Sequence, residues 1–148
     1  MSVHTALNTL WCQNNQLMAL DISSNYLDCS SNRLTALDVG TQVELEGLYC
    51  SSNQLTKLDV SANTLLERLD CSSNQLTALD VSANTILKEL SCFSNQLTAL
   101  NVSKNRMLGW FKCYNNRLPL SDLFVASKKI TISYNKELGT QNLLPQTE

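Results

Sequence analysis

Six cysteines, one histidine and a file of aspartates are the residues of this 148-residue chain that could do chemistry. Cys29, Cys50, Cys71, Cys92 and Cys113 recur every 21 residues, and Cys12 precedes them by 17. Thiols in such number serve as metal ligands, disulfide partners or nucleophiles. The spacing argues against each. No C-x-x-C pair occurs, and the only histidine is His4. Each cysteine stands where the surrounding pattern wants a leucine, so the sequence predicts a column of small, buried, reduced thiols. Such thiols lack the exposed, electropositive setting a reactive thiolate needs. No HExxH, GxSxG, phosphate-binding loop or dinucleotide fingerprint is present, so the chain reads as non-enzymatic and without a cofactor.

Asp21, Asp38, Asp59 and Asp80 share one position of the pattern, with Asn101 next. In stacked coils about 4.8 Å apart, such carboxylates repel unless hydrated or bonded to backbone. A calcium ladder is the lesser alternative, because calcium takes about six to eight oxygens, usually from glycine-rich turns. Glycine is scarce here, four in all. Solvated or backbone-bonded carboxylates are expected, and no metal site.

These residues are positioned by a repeat. Laid over each other, residues 50–70 and 71–91 agree at 16 of 21 positions. The unit L-x-x-L-x-C-x-x-N-x-L falls on Leu66, Leu69, Cys71, Asn74 and Leu76, and L-x-x-L-x-V-x-x-N continues on Leu79, Val81 and Asn84. A fixed short period of this kind means stacked coils sharing one continuous core. Each coil is expected to make two short extended runs with a turn at each asparagine. Side chains alternate along a strand, so Leu69 and Cys71 point in while Arg68, Asp70 and Ser72 point out. Two asparagine ladders follow: Asn15, Asn32, Asn53, Asn74, Asn95 and Asn116, then Asn25, Asn63, Asn84 and Asn105, broken at Gln42. Both are read as structural, since an asparagine amide suits turns and bonds nearby backbone.

The array has irregular ends. Leu7, Leu10 and Cys12 already hold the register, and nothing before them could form a polar cap. The coil from Cys12 to Cys29 is four residues short, and the deficit is expected between Asn25 and Leu27. At the other end Ser121 suits a helix N-cap, with Lys128 and Lys129 in the last turn. A helical insertion near 119–129 is predicted, with residues 130–135 resuming the pattern. The expected organisation is a right-handed solenoid of about six coils over 1–138, mostly short parallel strands and turns with one C-terminal helix. Residues 139–148 read as a tail or linker.

The totals narrow the function. Net charge is −2 and the isoelectric point about 5.3, so no basic field exists to hold nucleic acid. No apolar run reaches the roughly 20 residues of a membrane helix, and the N-terminus lacks the features of a signal peptide. The variable positions carry the remaining information. Three outward columns flank each Leu-x-Cys run: Thr9, Tyr26, Gly47, Arg68, Glu89, Trp110; Trp11, Asp28, Tyr49, Asp70, Ser91, Lys112; and Gln13, Ser30, Ser51, Ser72, Phe93, Tyr114. They hold six of the nine aromatics. Aromatics are enriched at binding sites. The candidate binding residues are therefore Trp11, Tyr26, Tyr49, Arg68, Asp70, Glu89, Phe93, Trp110, Lys112 and Tyr114. Nothing in the columns separates a protein ligand from a glycan, and a protein is taken as the first expectation.

The 21-residue period with its cysteine ladder, Cys29 to Cys113, resembles bacterial surface leucine-rich-repeat proteins of the internalin J-like type. The match covers about Leu7 to Asn116. The resemblance implies a curved solenoid, secreted or on the cell surface, whose strand-lined face adheres to host or matrix molecules. Members of that type carry an N-terminal helical cap, a signal peptide and a sorting domain, which this sequence does not show, so surface location rests on the resemblance. The rival expectation is a structural spacer or assembly segment without its own ligand.

Overall fold

The computed structural model describes residues 7–20 and 24–119. The expected C-terminal helix, the resumption at 130–135, the boundary near 138 and Asp21 lie outside those residues. Six three-residue strands recur along the chain: β1 Thr9–Trp11, β2 Tyr26–Asp28, β3 Gly47–Tyr49, β4 Arg68–Asp70, β5 Glu89–Ser91 and β6 Trp110–Lys112. They form one parallel sheet in the order of the chain. The register follows the repeat, with Leu27, Leu48, Leu69, Leu90 and Phe111 in a single file. Strand and return path close each coil, and stacking buries what no coil could bury alone. The core is two aligned sets of side chains, Leu-x-Cys from the strand wall and Leu-x-Val from the return wall, with Leu69, Cys71, Leu79 and Val81 all buried.

Asparagine closes the strand wall. Asn74 Nδ2 donates to the carbonyls of Cys50 at 3.0 Å and Cys71 at 3.1 Å, while its Oδ1 accepts the Leu55 N–H at 2.9 Å. One side chain thus ties its own coil to the preceding one. Asn32, Asn53, Asn95 and Asn116 repeat the pattern. The chain turns into this geometry through a left-handed residue at Asn14, Ser31, Ser52, Ser73, Ser94 and Asn115, with φ between 52° and 58°. That region costs a residue with a Cβ about 1 kcal/mol or more. It persists because the turned N–H finds the next coil, as Ser73 N does on Phe93 O at 2.9 Å.

Three expectations need correction. The return wall does not form a second sheet: among the described residues no strand occurs there. Tight turns follow the run instead, with Asn84 N–H on Val81 O and Leu87 N–H on Asn84 O, both 3.1 Å, so these backbone groups bond within their own coil. Asn25 does not belong to the second asparagine ladder. Its carbonyl accepts from Glu46 N and Gly47 N, the role Glu46 and Glu67 play for the next two coils. The short coil therefore loses its four residues before Asn25, not between Asn25 and Leu27, and β1 still pairs with β2 in register. Lastly, Ser72 and Ser91 do not project into solvent although alternation aims them outward; neighbouring side chains cover both.

Candidate functional site

The strand wall sets the candidate residues side by side. Register brings Thr9, Tyr26, Gly47, Arg68, Glu89 and Trp110 into one file, and Trp11, Asp28, Tyr49, Asp70, Ser91 and Lys112 into the next. Neighbours in a file are one strand spacing apart, about 4.8 Å, so each side chain meets the ones before and after it.

In the N-terminal half, Tyr26 lies over Gly47. A Cβ built on Gly47 would come within 2.6 Å of the Tyr26 ring and 3.4 Å of Tyr49 Cε2. Glycine is needed there because the two rings converge above it. The Tyr26 hydroxyl donates to Glu46 Oε2 at 2.6 Å, and this bond is the main reason its pKa is raised. Burial chiefly raises that of Tyr49. Asp28 and Asp70 flank Tyr49 in register. Each is tied down through Oδ1, which accepts the N–H and hydroxyl of Ser30 or Ser72 at 3.0 and 2.6 Å. Trp11 is 75% exposed at the edge of this region.

The C-terminal half is self-packed. Phe93 and Tyr114 stack with ring centroids 4.7 Å apart, and the Lys112 ammonium sits 4.7 Å above the Trp110 ring. Arg68 Nε reaches Glu89 Oε1 at 3.3 Å, a pair that raises the arginine's pKa. Beside the strands, Lys88 Nζ meets Glu67 Oε1 at 2.7 Å, which lowers the glutamate's pKa. These cross-coil pairs explain part of the variation in the columns: a residue is chosen to match its neighbour 21 positions away. The glutamates and lysine at 46, 67 and 88 form a further variable column that the strand alternation left out. Their signal was available, as the repeat differs there from coil to coil.

The cysteines behave as a structural column. All six are free thiols, buried in Cys29, Cys50, Cys71 and Cys92 and half-buried in Cys12 and Cys113 at the ends. Burial pushes the Cys29 thiol up to about 12 and Cys113 to about 11. At neutral pH they are protonated and poor nucleophiles. On the return wall Asp38, Asp59 and Asp80 each accept a backbone N–H two residues on, at 2.8 to 2.9 Å. These bonds are the leading cause of the lowered pKa of Asp59 and Asp80. A groove of about 330 Å³ runs along this wall between Thr35, Leu37, Asp38, Thr56, Lys57 and Asp59. It contains none of the candidate binding residues. Among the described residues, no group of three or more His, Cys, Asp or Glu could hold a metal ion, and no helix is long and apolar enough to cross a membrane.

A family model for leucine-rich repeats, in two copies, matches residues 43–84, and the register of β3 to β5 is the repeat it describes. The chain is a leucine-rich-repeat solenoid. Among solved structures, the functional domain of InlJ from Listeria monocytogenes, which includes a cysteine ladder, is 36% identical over 85% of this chain and 34% of its own, with a TM-score of 0.66. A leucine-rich-repeat protein of Leptospira interrogans is 28% identical over 86% of this chain and 37% of its own, TM-score 0.78. The internalin InlF from Listeria monocytogenes is 25% identical over 85% and 40%, TM-score 0.79. The solenoid thus spans about a third to two fifths of the length of these chains. No curated protein sequence matches it. The solenoid is similar to bacterial internalin-like leucine-rich-repeat proteins.

Proposed function

We propose that the solenoid is a non-enzymatic recognition module that binds a protein partner through its strand face, as part of a secreted or surface-displayed protein. One observation carries this. Residues 50–70 and 71–91 are identical at 16 of 21 positions, yet the two outward columns on the strands change from each coil to the next, and the three columns together gather six of the nine aromatics. Pairing between neighbouring coils accounts for part of that variation and leaves Trp11 exposed. Exposed aromatics such as Trp11 and Tyr114, 75% and 42% accessible, contribute to binding when a partner covers them. Internalin-like neighbours and the ordinary use of leucine-rich repeats in protein–protein contact support the same reading.

The second reading is a spacer without a ligand. It is favoured by the Phe93–Tyr114 stack and the Lys112–Trp110 contact, in which face residues satisfy one another. An array of host and matrix proteins and glycans, probed with the purified chain, separates the two. Trp11→Ala, and Trp110→Ala combined with Tyr114→Ala, should abolish capture of a protein while the circular dichroism melt survives. Unchanged capture overturns strand-face binding. A double variant that unfolds shows those rings to be packing and favours the spacer.

A further inference from the structure

We infer that the N-terminal half of the strand face takes a basic segment of the partner, with a lysine or arginine side chain seated over Tyr49 between the carboxylates of Asp28 and Asp70. This rests on strand-face recognition and adds the chemistry of what is recognised.

Tyr49 has an aspartate on each side in register. Two strand spacings, about 10 Å, separate those aspartates, a gap that admits a guanidinium or ammonium above the ring between them. The floor is aromatic, because the missing side chain of Gly47 leaves room for the Tyr26 ring on one side and Tyr49 Cε2 on the other. A cation is drawn to the face of such rings and to carboxylates through charge-assisted hydrogen bonds. Both aspartates are pre-oriented, since Oδ1 of each is fixed by a serine N–H and hydroxyl. Oδ2 of each has no protein partner among the described residues.

The charge balance of the face points the same way. Arg68 lies near Tyr26 and Tyr49 but is engaged by Glu89, and Lys88 is engaged by Glu67. Glu46 accepts from the Tyr26 hydroxyl, which brings no cation to it. Three carboxylates, Asp28, Glu46 and Asp70, are therefore left without a matching cation, all on β2 to β4 or just before them. The remaining cation of the face, Lys112, lies two strands beyond Asp70 and over Trp110. An acidic partner would meet this half with like charge. A neutral glycan could stack on the rings and would leave the carboxylates unanswered.

The test uses two labelled Gly-Ser peptides, one with a central Arg-Lys-Arg and one with three glutamates there, titrated against the whole chain by fluorescence anisotropy. The basic peptide should bind more weakly as salt is raised, and the acidic one should not bind. Asp28→Asn with Asp70→Asn should weaken the basic peptide by about tenfold or more, by analogy with the loss of close charge pairs at interfaces. Asn can keep the serine bonds, as Asn101 does with Ser103 N on the return wall at 2.9 Å, and a melt confirms the fold. Asp38→Asn with Asp80→Asn removes the same charge from the return wall and should change binding by less than about twofold, the weak non-specific part of the attraction. Tyr49→Leu should also weaken the peptide. Equal loss from the two aspartate pairs, or binding of the acidic peptide, overturns the inference. So does failure of the basic peptide to bind. A protein captured through Trp110 and Tyr114 but indifferent to Asp28 and Asp70 overturns it while leaving strand-face recognition standing.

Discussion

The two walls of each coil solve the same problem with the same residue and arrive at different results. On the strand wall, Asn74 uses everything it has: both amide hydrogens reach cysteine carbonyls and Oδ1 accepts a leucine N–H from the preceding coil. On the return wall, Asn84 is more deeply buried still, and its Nδ2 reaches the carbonyls of Val60 at 3.0 Å and Asn63 at 2.8 Å. Its Oδ1 has no partner, and the same holds for Asn63 and Asn105. The tight turn is the cause. The leucine N–H that could have served Oδ1 is already spent on the asparagine's own carbonyl, as Leu87 N is on Asn84 O. Regularity in sequence therefore does not mean equal energetic weight. The strand wall holds the coils together with fully bonded asparagines, at the cost of left-handed serines, a thiol column and an unpartnered hydroxyl at Ser91. Among the described residues the return wall has neither left-handed serines nor thiols, and a less complete ladder.

The largest effect expected from this contrast is alkaline. Buried thiols belong to the strand wall alone, and their pKa values lie above the ordinary 9.0, at about 12 for Cys29. Raised folded values mean that the native state keeps protons which the unfolded chain releases. Stability is fully present below pH 9 and is lost as pH climbs from there through the folded values. Over that window each such thiol lowers stability by about 1.4 kcal/mol per pH unit. The melting temperature should fall steeply above pH 9, and a variant with Cys50→Ala, Cys71→Ala and Cys92→Ala should fall less. A parallel decline in both would mean the sulfurs are not the cause. In the native chain at pH 8, alkylation should mark Cys12 and Cys113 first, because they are only half-buried.

Next come the asparagines. Asn74→Ala leaves the Leu55 N–H without a partner in the core, takes one of two amide donors from each of the Cys50 and Cys71 carbonyls, and should cost about 3 kcal/mol in chemical denaturation. Asn84→Ala should cost about 2 kcal/mol, since it also removes an oxygen that had no donor. Equal losses would erase the proposed difference between the walls. Smaller still, Ser73→Gly relieves a φ of 53° and should stabilise by about 0.5 to 1 kcal/mol, net of the glycine's extra unfolded-state freedom. The same change at Ser82, on the return wall, should not stabilise. Least of all, the Arg68–Glu89 pair is well exposed on both sides. Its double-mutant coupling should stay below about 0.5 kcal/mol and shrink with salt.

The strand wall was legible because its determinants lie one period apart. Leu69 and Cys71 declare their direction by alternation, and the 21-residue recurrence fixes which strands pair. The return wall misled for the same reason. Leu79-x-Val81 alternates like a strand, but whether an alternating run becomes one depends on backbone partners in the adjacent coil, and the tight turns that follow it bond within their own coil. The misplacement of Asn25 has a related origin. Its spacing to Leu27 cannot reveal on which side of it four residues were lost. The outward columns were identified correctly as files, yet the contents of each file depend on contacts between coils. Tyr26 over Gly47, and Phe93 on Tyr114, are relations between residues 21 apart whose shapes no pattern of residue types encodes.

Period, hydrophobic alternation and the recurring asparagines were enough by themselves to specify a stacked leucine-rich coil with cysteines inside, because these are local rules that every coil obeys in the same way. Which wall forms hydrogen-bonded strands, which asparagine is fully satisfied and which face charges go unanswered were decided only when coil met coil. Hydrogen bonds and ion pairs depend on distances of a few tenths of an ångström between atoms of different turns, and those distances exist only in the assembled stack.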